Sequence, residues 1–319
     1  MPENGKCVAM VSNSGLTIGS GLPELLAESL GRDVGDVRPL GRVCMFAFGI
    51  SSTAPEMLSS YADECLPVPL PLVMDRRVPG WVGSDVDAIL ISCSGDEPEL
   101  MEVYHEVRRR GCRIHCVTSG GGLMDAAVCD GVDLVRIPEG LTRSGSTGAI
   151  LGSIASILRS AGVCDIVGRL GSECPDLVRY RDSLSSSDTV SLIASALTGK
   201  VPAVYGTADV RAVTRRWKMA MNESVGTLAF FGELPEFDHN ELVGWFDPNP
   251  HAPELAIVVL RGDTRSDLLN FITGSMVEIL REEGRPVTTV ELEGDVITRN
   301  LRGIVLADTV AEAMAGGRR

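Results

Sequence analysis

The sequence predicts an α/β protein built as two three-layer sandwiches, each a parallel sheet with helices on both faces. Three observations point there. Short apolar runs recur along the chain, separated by amphipathic helical patterns. The runs are nearly continuously apolar rather than alternating, which suits strands buried on both faces of a sheet. The length, 319 residues, is that of about two ordinary domains.

In the first half, strands are expected at 42–48 (RVCMFAF), 88–92 (AILIS), 113–118 (RIHCVT) and 134–137. Between the second and third lies 98–110 (PELMEVYHEVRRR). Its Leu100, Val103, Tyr104 and Val107 share one helical face, with acids in the first turn and arginines in the last. Residues 145–160 (GSTGAILGSIASILRS) read as a small-residue helix made for close packing against a sheet or a second subunit. Apolar periodicity then fades over 166–188, and 183–188 (SLSSSD) is the most linker-like stretch. Strands resume at 203–205, 227–230, 256–260 and 287–292, with helices at 208–223, 265–283 and 296–314. The expected organisation is therefore a first domain over 1–165, a helical connection or linker over 166–200, and a second domain over 201–319.

Composition narrows the function. Acids outnumber bases, 43 to 29, for a net charge of −14. Such a chain repels phosphate backbones, so nucleic acid is an unfavourable partner. No run of apolar residues is long enough for a membrane span, and Met1 to Ser14 shows no export signal. A cytoplasmic location is expected. Nine cysteines, all between Cys7 and Cys174, suit reduced thiols better than a disulfide framework. Cys112, His115 and Cys116 invite a metal reading, but on a strand His115 and Cys116 point to opposite faces, which favours core packing. Only Lys6, Lys200 and Lys218 are lysines.

Three strand ends of the first half carry hydroxyl and glycine clusters: Gly49-Ile50-Ser51-Ser52-Thr53, Ser92-Cys93-Ser94-Gly95, and Ser119-Gly120-Gly121-Gly122. Hydroxyls and free N–H groups where strands turn into helices can cradle an anion, although serines and glycines also make ordinary caps and turns. Arg143 can add a positive charge nearby. In the second half, Asn222-Glu223-Ser224 and His239, set among polar neighbours, supply a carboxylate and an imidazole for acid–base work if the fold brings them together.

These residues carry a resemblance. Ser92-Cys93-Ser94-Gly95, the helix after it, the strand at Arg113 and Ser119-Gly120-Gly121 look like a sugar isomerase (SIS) domain. Arg216-Trp217-Lys218, Asn222-Glu223, Pro235-Glu236, His239-Asn240-Glu241 and Gly244-Trp245 are similar to the C-terminal half of the bifunctional phosphoglucose/phosphomannose isomerases. The resemblance implies two SIS subdomains, a homodimer with a shared active site, and interconversion of aldose and ketose 6-phosphates with no metal or other cofactor. It implies that Glu223 moves a proton between C1 and C2 and that His239, reaching in from the neighbouring subunit, assists ring opening. Arg143 would steady the enediolate, and Thr53, Ser92 and Ser94, with Gly49, Ser52 and Gly95 around them, would hold the sugar phosphate.

The departures fall on the substrate side. The family's first loop reads Gly-Met-Gly-Gly-Ser, whereas Ile50, Ser51 and Ser52 follow Gly49 here, and serine resists positive φ. The family's Ser-Gly-Asn-Thr becomes Ser94-Gly95-Asp96-Glu97. Glu97 pointing into the cradle would oppose a phosphate; lying outward, it would complement the dipole of the following helix. The family's segment with a ring-opening lysine has no counterpart, since no lysine follows Lys218. Three readings follow in order: a hexose 6-phosphate aldose–ketose isomerase, a diverged isomerase for a less anionic sugar, and a non-catalytic sugar-phosphate-binding protein.

Overall fold

Five parallel strands form the first sheet in the computed structural model, which describes residues 21–316 apart from 33, 35, 36, 38, 247, 248 and 263. The segment Met1 to Ser14, with Lys6 and Cys7, lies outside the described residues, as do the last three residues. The chain divides into two units, the first ending at Val178 and the second beginning at Arg179.

The first unit runs α1 (Leu22–Leu30), β1 (Arg42–Ala47), α2 (Thr53–Cys65), β2 (Leu72–Val73), β3 (Val86–Ser92), α3 (Pro98–Arg109), β4 (Arg113–Thr118), α4 (Gly121–Asp130), β5 (Asp133–Arg136) and α5 (Arg143–Ser160). The strand order is β2-β1-β3-β4-β5. One face presents Cys44, Phe46, Ala88, Leu90, Ile114 and Cys116 to the apolar stripe of α3 and to Leu123 and Ala127 of α4. On the other face Met45, Ile89, Ile91 and Val117 are fully buried as well. Burial on both faces is why these strands read as unbroken apolar runs.

Helix α5 is buried on every side, as its small residues predict, and its main partner is α1, an element not foreseen. A Cβ on Gly148 would sit 2.3 Å from the Leu22 carbonyl oxygen, so only glycine permits this approach. The apolar spacing of Leu22, Leu25, Leu26 and Leu30 was the available signal for α1.

His115 and Cys116 do take opposite faces. Cys116 joins the core, whereas His115 Nδ1 lies 3.2 Å from Asp133 and Nε2 3.8 Å from Asp87. Asp87 also accepts from the Gly41 N–H (2.7 Å) and pairs with Arg113. Burial alone would raise its pKa, but the neighbouring His115 imidazole and the hydrogen bonds from Arg113 and Gly41 prevail and hold it at about 2. These groups tie the amino ends of three neighbouring strands.

Helix α6 (Val167–Leu184) fills most of the stretch without apolar periodicity, and of the linker-like 183–188 only 185–187 lie outside helices, in a tight turn ending in the Ser187 cap of α7 (Asp188–Leu197). The second unit continues β6 (Val201–Thr207), α8 (Arg211–Ala220), β7 (Phe230–Leu234), α9 (Glu236–Asn240), β8 (Leu255–Gly262), α10 (Asp267–Glu282), β9 (Val287–Leu292) and α11 (Val296–Gly316), with strand order β7-β6-β8-β9, all parallel. Tyr205, Ile257 and Val259 face α10 and Phe237 of α9. Gly206, which points the other way, faces Thr214 of α8, and α8 packs on α11.

One strand is displaced from its expected place. Residues 227–229 do not enter the sheet, and β7 starts at Phe230. The Thr227 N–H bonds to the Met221 carbonyl and the Ala229 N–H to the Asn222 side chain, so these donors close the preceding helix rather than a strand ladder.

Candidate active site

In the first sheet, β1 leads outward to β2 while β3 leads the other way to β4, so the connections diverge at the carboxyl ends of β1 and β3. Such a divergence opens a crevice where α/β sheets bind ligands. The first two expected loops meet there. Gly49 to Ser52 form a 3-10 turn that runs into α2 at Thr53. Among the described residues no non-glycine has a positive φ. Ser51 and Ser52 therefore occupy the turn without strain, and the expected penalty for losing the inner glycines does not arise. Beside it, the Cys93 N–H donates to Ser51 Oγ at 2.9 Å and knits the two loops together.

Most cradle groups already have partners. Ser52 donates to the Gly49 carbonyl (2.7 Å), Ser119 to the Cys93 carbonyl (2.6 Å) and Thr118 to the Gly120 carbonyl (3.0 Å). Thr53 Oγ1 is fully buried with no hydrogen bond. Gly95 has φ +82° and its N–H donates to Ser92 Oγ at 2.6 Å. A Cβ there would lie 1.9 Å from the Gly120 oxygen, so the approach of the β3 and β4 loops requires glycine.

The two acids that follow accept from donors of these same loops. Ser92 Oγ donates to Glu97 Oε2 in a very short contact, and Ser94 Oγ donates to Glu97 Oε1 at 3.4 Å. Asp96 Oδ1 accepts from the Gly122 N–H in the first turn of α4, at 3.2 Å. Glu97 thus points inward, the first of the two orientations weighed from sequence. It stands at the N-cap of α3 yet makes no side-chain cap there.

Arg143 is the first residue of α5, with an exposed side chain. One turn on, Ser146 donates to the Arg143 carbonyl at 2.8 Å and lies near the Cys93 thiol of the β3 loop, whose pKa burial raises. A guanidinium at the positive end of a helix is opposed by the dipole, so local helix stability does not account for this arginine.

In the second unit, α8 ends in a π turn, Met221–Val225, which Gly226 closes with φ +70°. Such turns insert one extra residue and often mark functional sites. Glu223 sits in it, exposed, while Met221 and Val225 are buried. Asn222 beside it is occupied by the Ala229 N–H at 2.8 Å. Upstream, Arg216 is 2% exposed and forks onto Asp308 of α11 at 2.6 and 2.7 Å. With the buried Trp217, that pair fixes the helix that carries Glu223.

His239 is exposed on α9, beyond the carboxyl end of β7. Glu241, two residues on, accepts from the Tyr205 hydroxyl at 2.7 Å, and burial and this carboxylate together push the Tyr205 pKa up. Asp238 is raised by burial, partly offset by His239. Glu223 therefore closes a helix at the amino edge of the sheet, on the α8 face, whereas His239 belongs to a helix on the opposite face. The sheet stands between their elements within one chain.

Sequence reasoning left the direction of Glu97 open between two orientations and missed the π turn, for which no periodicity signal exists. It also passed over Thr207, Arg261, Thr264, Asn270 and Thr273, which line a cavity of about 270 Å³ at the carboxyl edge of the second sheet.

The fold is that of the SIS-type phosphosugar isomerases. The C-terminal domain of glucosamine-fructose-6-phosphate aminotransferase from Francisella tularensis superposes with a TM-score of 0.71, at 13% identity, over 92% of this chain and 93% of that one. Residues 187–318, which include Glu223 and His239, match the family model of the bacterial phospho-glucose isomerase C-terminal SIS domain. The resemblance to the bifunctional phosphoglucose/phosphomannose isomerases is borne out. The Aquifex aeolicus protein of that name is 29% identical over 253 residues, 76% of this chain and 74% of its own. The Caldicellulosiruptor bescii protein is 25% identical over 79% of this chain and 77% of its own. Among the described residues no helix is long and apolar enough to cross a membrane.

Proposed function

We propose that this chain is an aldose–ketose isomerase of hexose 6-phosphates, interconverting glucose 6-phosphate or mannose 6-phosphate with fructose 6-phosphate. The observation that carries the reading is Glu223, presented by a π turn on a helix pinned by Arg216 and Asp308, inside the segment that matches the isomerase domain model. The Glu223 carboxylate takes the acidic α-proton from one of C1 and C2 and returns it to the other. Arg143 stabilises the enediolate oxygen that develops between them. His239 handles the proton of ring opening. Thr53, Ser92 and Ser94, with the backbone of Gly49, Ser52 and Gly95, receive the phosphate, whose binding energy positions the reacting carbons.

Because the sheet separates the elements of Glu223 and His239 within one chain, the working unit of this proposal is a homodimer. In it Glu223 is met by His239 of the partner subunit. The cytoplasm suits it, since the eight described cysteines are all thiols.

The test is proton exchange at C1 and C2 in deuterated water, followed by NMR with fructose 6-phosphate. Glu223→Gln is expected to lower exchange at least a thousandfold with an unchanged melting temperature; exchange that survives overturns the assigned base. Mixing inactive Glu223→Gln with inactive His239→Asn is expected to restore a fraction of the activity through mixed dimers, and no recovery argues against a shared site. The second reading, a diverged isomerase for a less anionic sugar, is favoured by one observation, the Glu97 carboxylate on the cradle hydroxyls.

A further inference from the structure

The Ser92 and Ser94 hydroxyls lie at the crevice between the β1 and β3 loops, and both are donated to one carboxylate, that of Glu97. That carboxylate is not acting as a helix cap. Glu97 precedes α3, but its side chain accepts nothing from the first turn of the helix, and Glu99 already supplies an acid there. Its neighbour Asp96 takes the Gly122 N–H at the start of α4. Three donors arranged around one crevice are therefore spent on two internal carboxylate groups. A phosphoryl group is a tetrahedral anion that needs the same kind of donors, and it is repelled by a carboxylate within a few ångströms.

We infer that Glu97 is the specificity-determining residue of this cradle: its carboxylate occupies the hydroxyls that a phosphoryl group requires, so a sugar phosphate binds only by displacing it. The inference rests on the proposed function for the location of the phosphate, and deepens it by naming what sets its affinity. In that function Ser92 and Ser94, which Glu97 holds, serve the phosphate and not the carbons that exchange protons, so its removal acts on binding and not on the rate of the bound complex. Sugars without the phosphate never meet this competition. Wild-type protein therefore discriminates between fructose 6-phosphate and free fructose less sharply than the crevice alone would allow.

The experiment is calorimetric titration of the full chain and of Glu97→Gln and Glu97→Ala with fructose 6-phosphate, inorganic phosphate and free fructose. Glu97→Gln keeps the shape and removes the charge; Glu97→Ala frees both hydroxyls. Fructose 6-phosphate is expected to bind at least tenfold tighter to Glu97→Ala, with a smaller gain for Glu97→Gln and no change for fructose. In turnover the gain appears in KM, with kcat unchanged. Unchanged or weaker phosphate binding in Glu97→Gln, at an unchanged melting temperature, overturns the inference and leaves Glu97 a structural residue. Failure of all three proteins to bind either phosphate overturns it too. Tighter binding by the variants with no proton exchange in any protein upholds the role of Glu97 and sinks the isomerase reading alone.

Discussion

The two sheets repeat one plan and fill it with different chemistry. In each, two neighbouring strands diverge in their connections, β1 and β3 in the first, β6 and β8 in the second. In each, the first of these strands passes through a single 3-10 turn into a helix: Gly49–Ser52 into α2, and Ala208–Val210 into α8. In the first sheet that turn is built from glycine and hydroxyls. In the second it is held by buried ions and amides: Arg299 Nε lies 3.0 Å from Asp209 Oδ2, and Asn300 donates to the Asp209 carbonyl at 2.7 Å. The crevice of the second sheet opens instead around Thr207, whose hydroxyl is buried without a hydrogen bond. Topology makes a crevice twice; the side chains decide what it can receive.

That contrast can be broken at several points. The largest effect is expected at Asp209. If the second turn is held by its ion pair, Asp209→Ala removes the carboxylate that faces a buried guanidinium and lowers stability by about 3–5 kcal/mol in denaturant titration. A loss below about 1 kcal/mol would mean that the turn is kept by packing alone.

The first sheet has its buried ions at the other edge, on Asp87. A folded-state pKa of about 2, below the ordinary carboxylate value, contributes stability that is present above the unfolded pKa and lost as pH falls through about 2. Asp87→Asn is expected to cost about 2–3 kcal/mol at pH 6, with the gap to wild type narrowing between about pH 4 and pH 2. A gap independent of pH would remove the charge from the explanation. The smallest effect, of opposite sign, is expected at Thr207. Thr207→Val replaces an unpartnered buried hydroxyl by a methyl and should raise stability by about 1 kcal/mol in thermal unfolding. A loss would show that the hydroxyl has a partner in solution.

Much of the fold was legible because buried parallel strands carry their own signal. The strand at Arg113–Thr118 and the helix from Pro98 lie where apolar runs and the amphipathic stripe put them, to within a residue. Helix α6 was not legible, because few of its residues repeat at helical spacing and Ser183 to Ser187 resemble a loop in composition. The displaced β7 failed for another reason. Thr227 and Phe230 have strand propensity, but the end of α8 claims the N–H groups of Thr227 and Ala229.

For the site, the residue types and their motifs were readable one by one: Glu223 and His239, the serine and glycine loops, and the acids at 96 and 97. Side-chain type and local periodicity are properties of neighbours along the chain, and sequence states them directly. The partner that α5 finds in α1 and the sheet that divides Glu223 from His239 depend on groups distant in sequence, and the direction in which Glu97 turns depends on how the loop after β3 folds back its own Ser92 and Ser94. Those were decided by tertiary structure, because a carboxylate goes to the strongest donors within reach, and only the folded chain determines which donors those are.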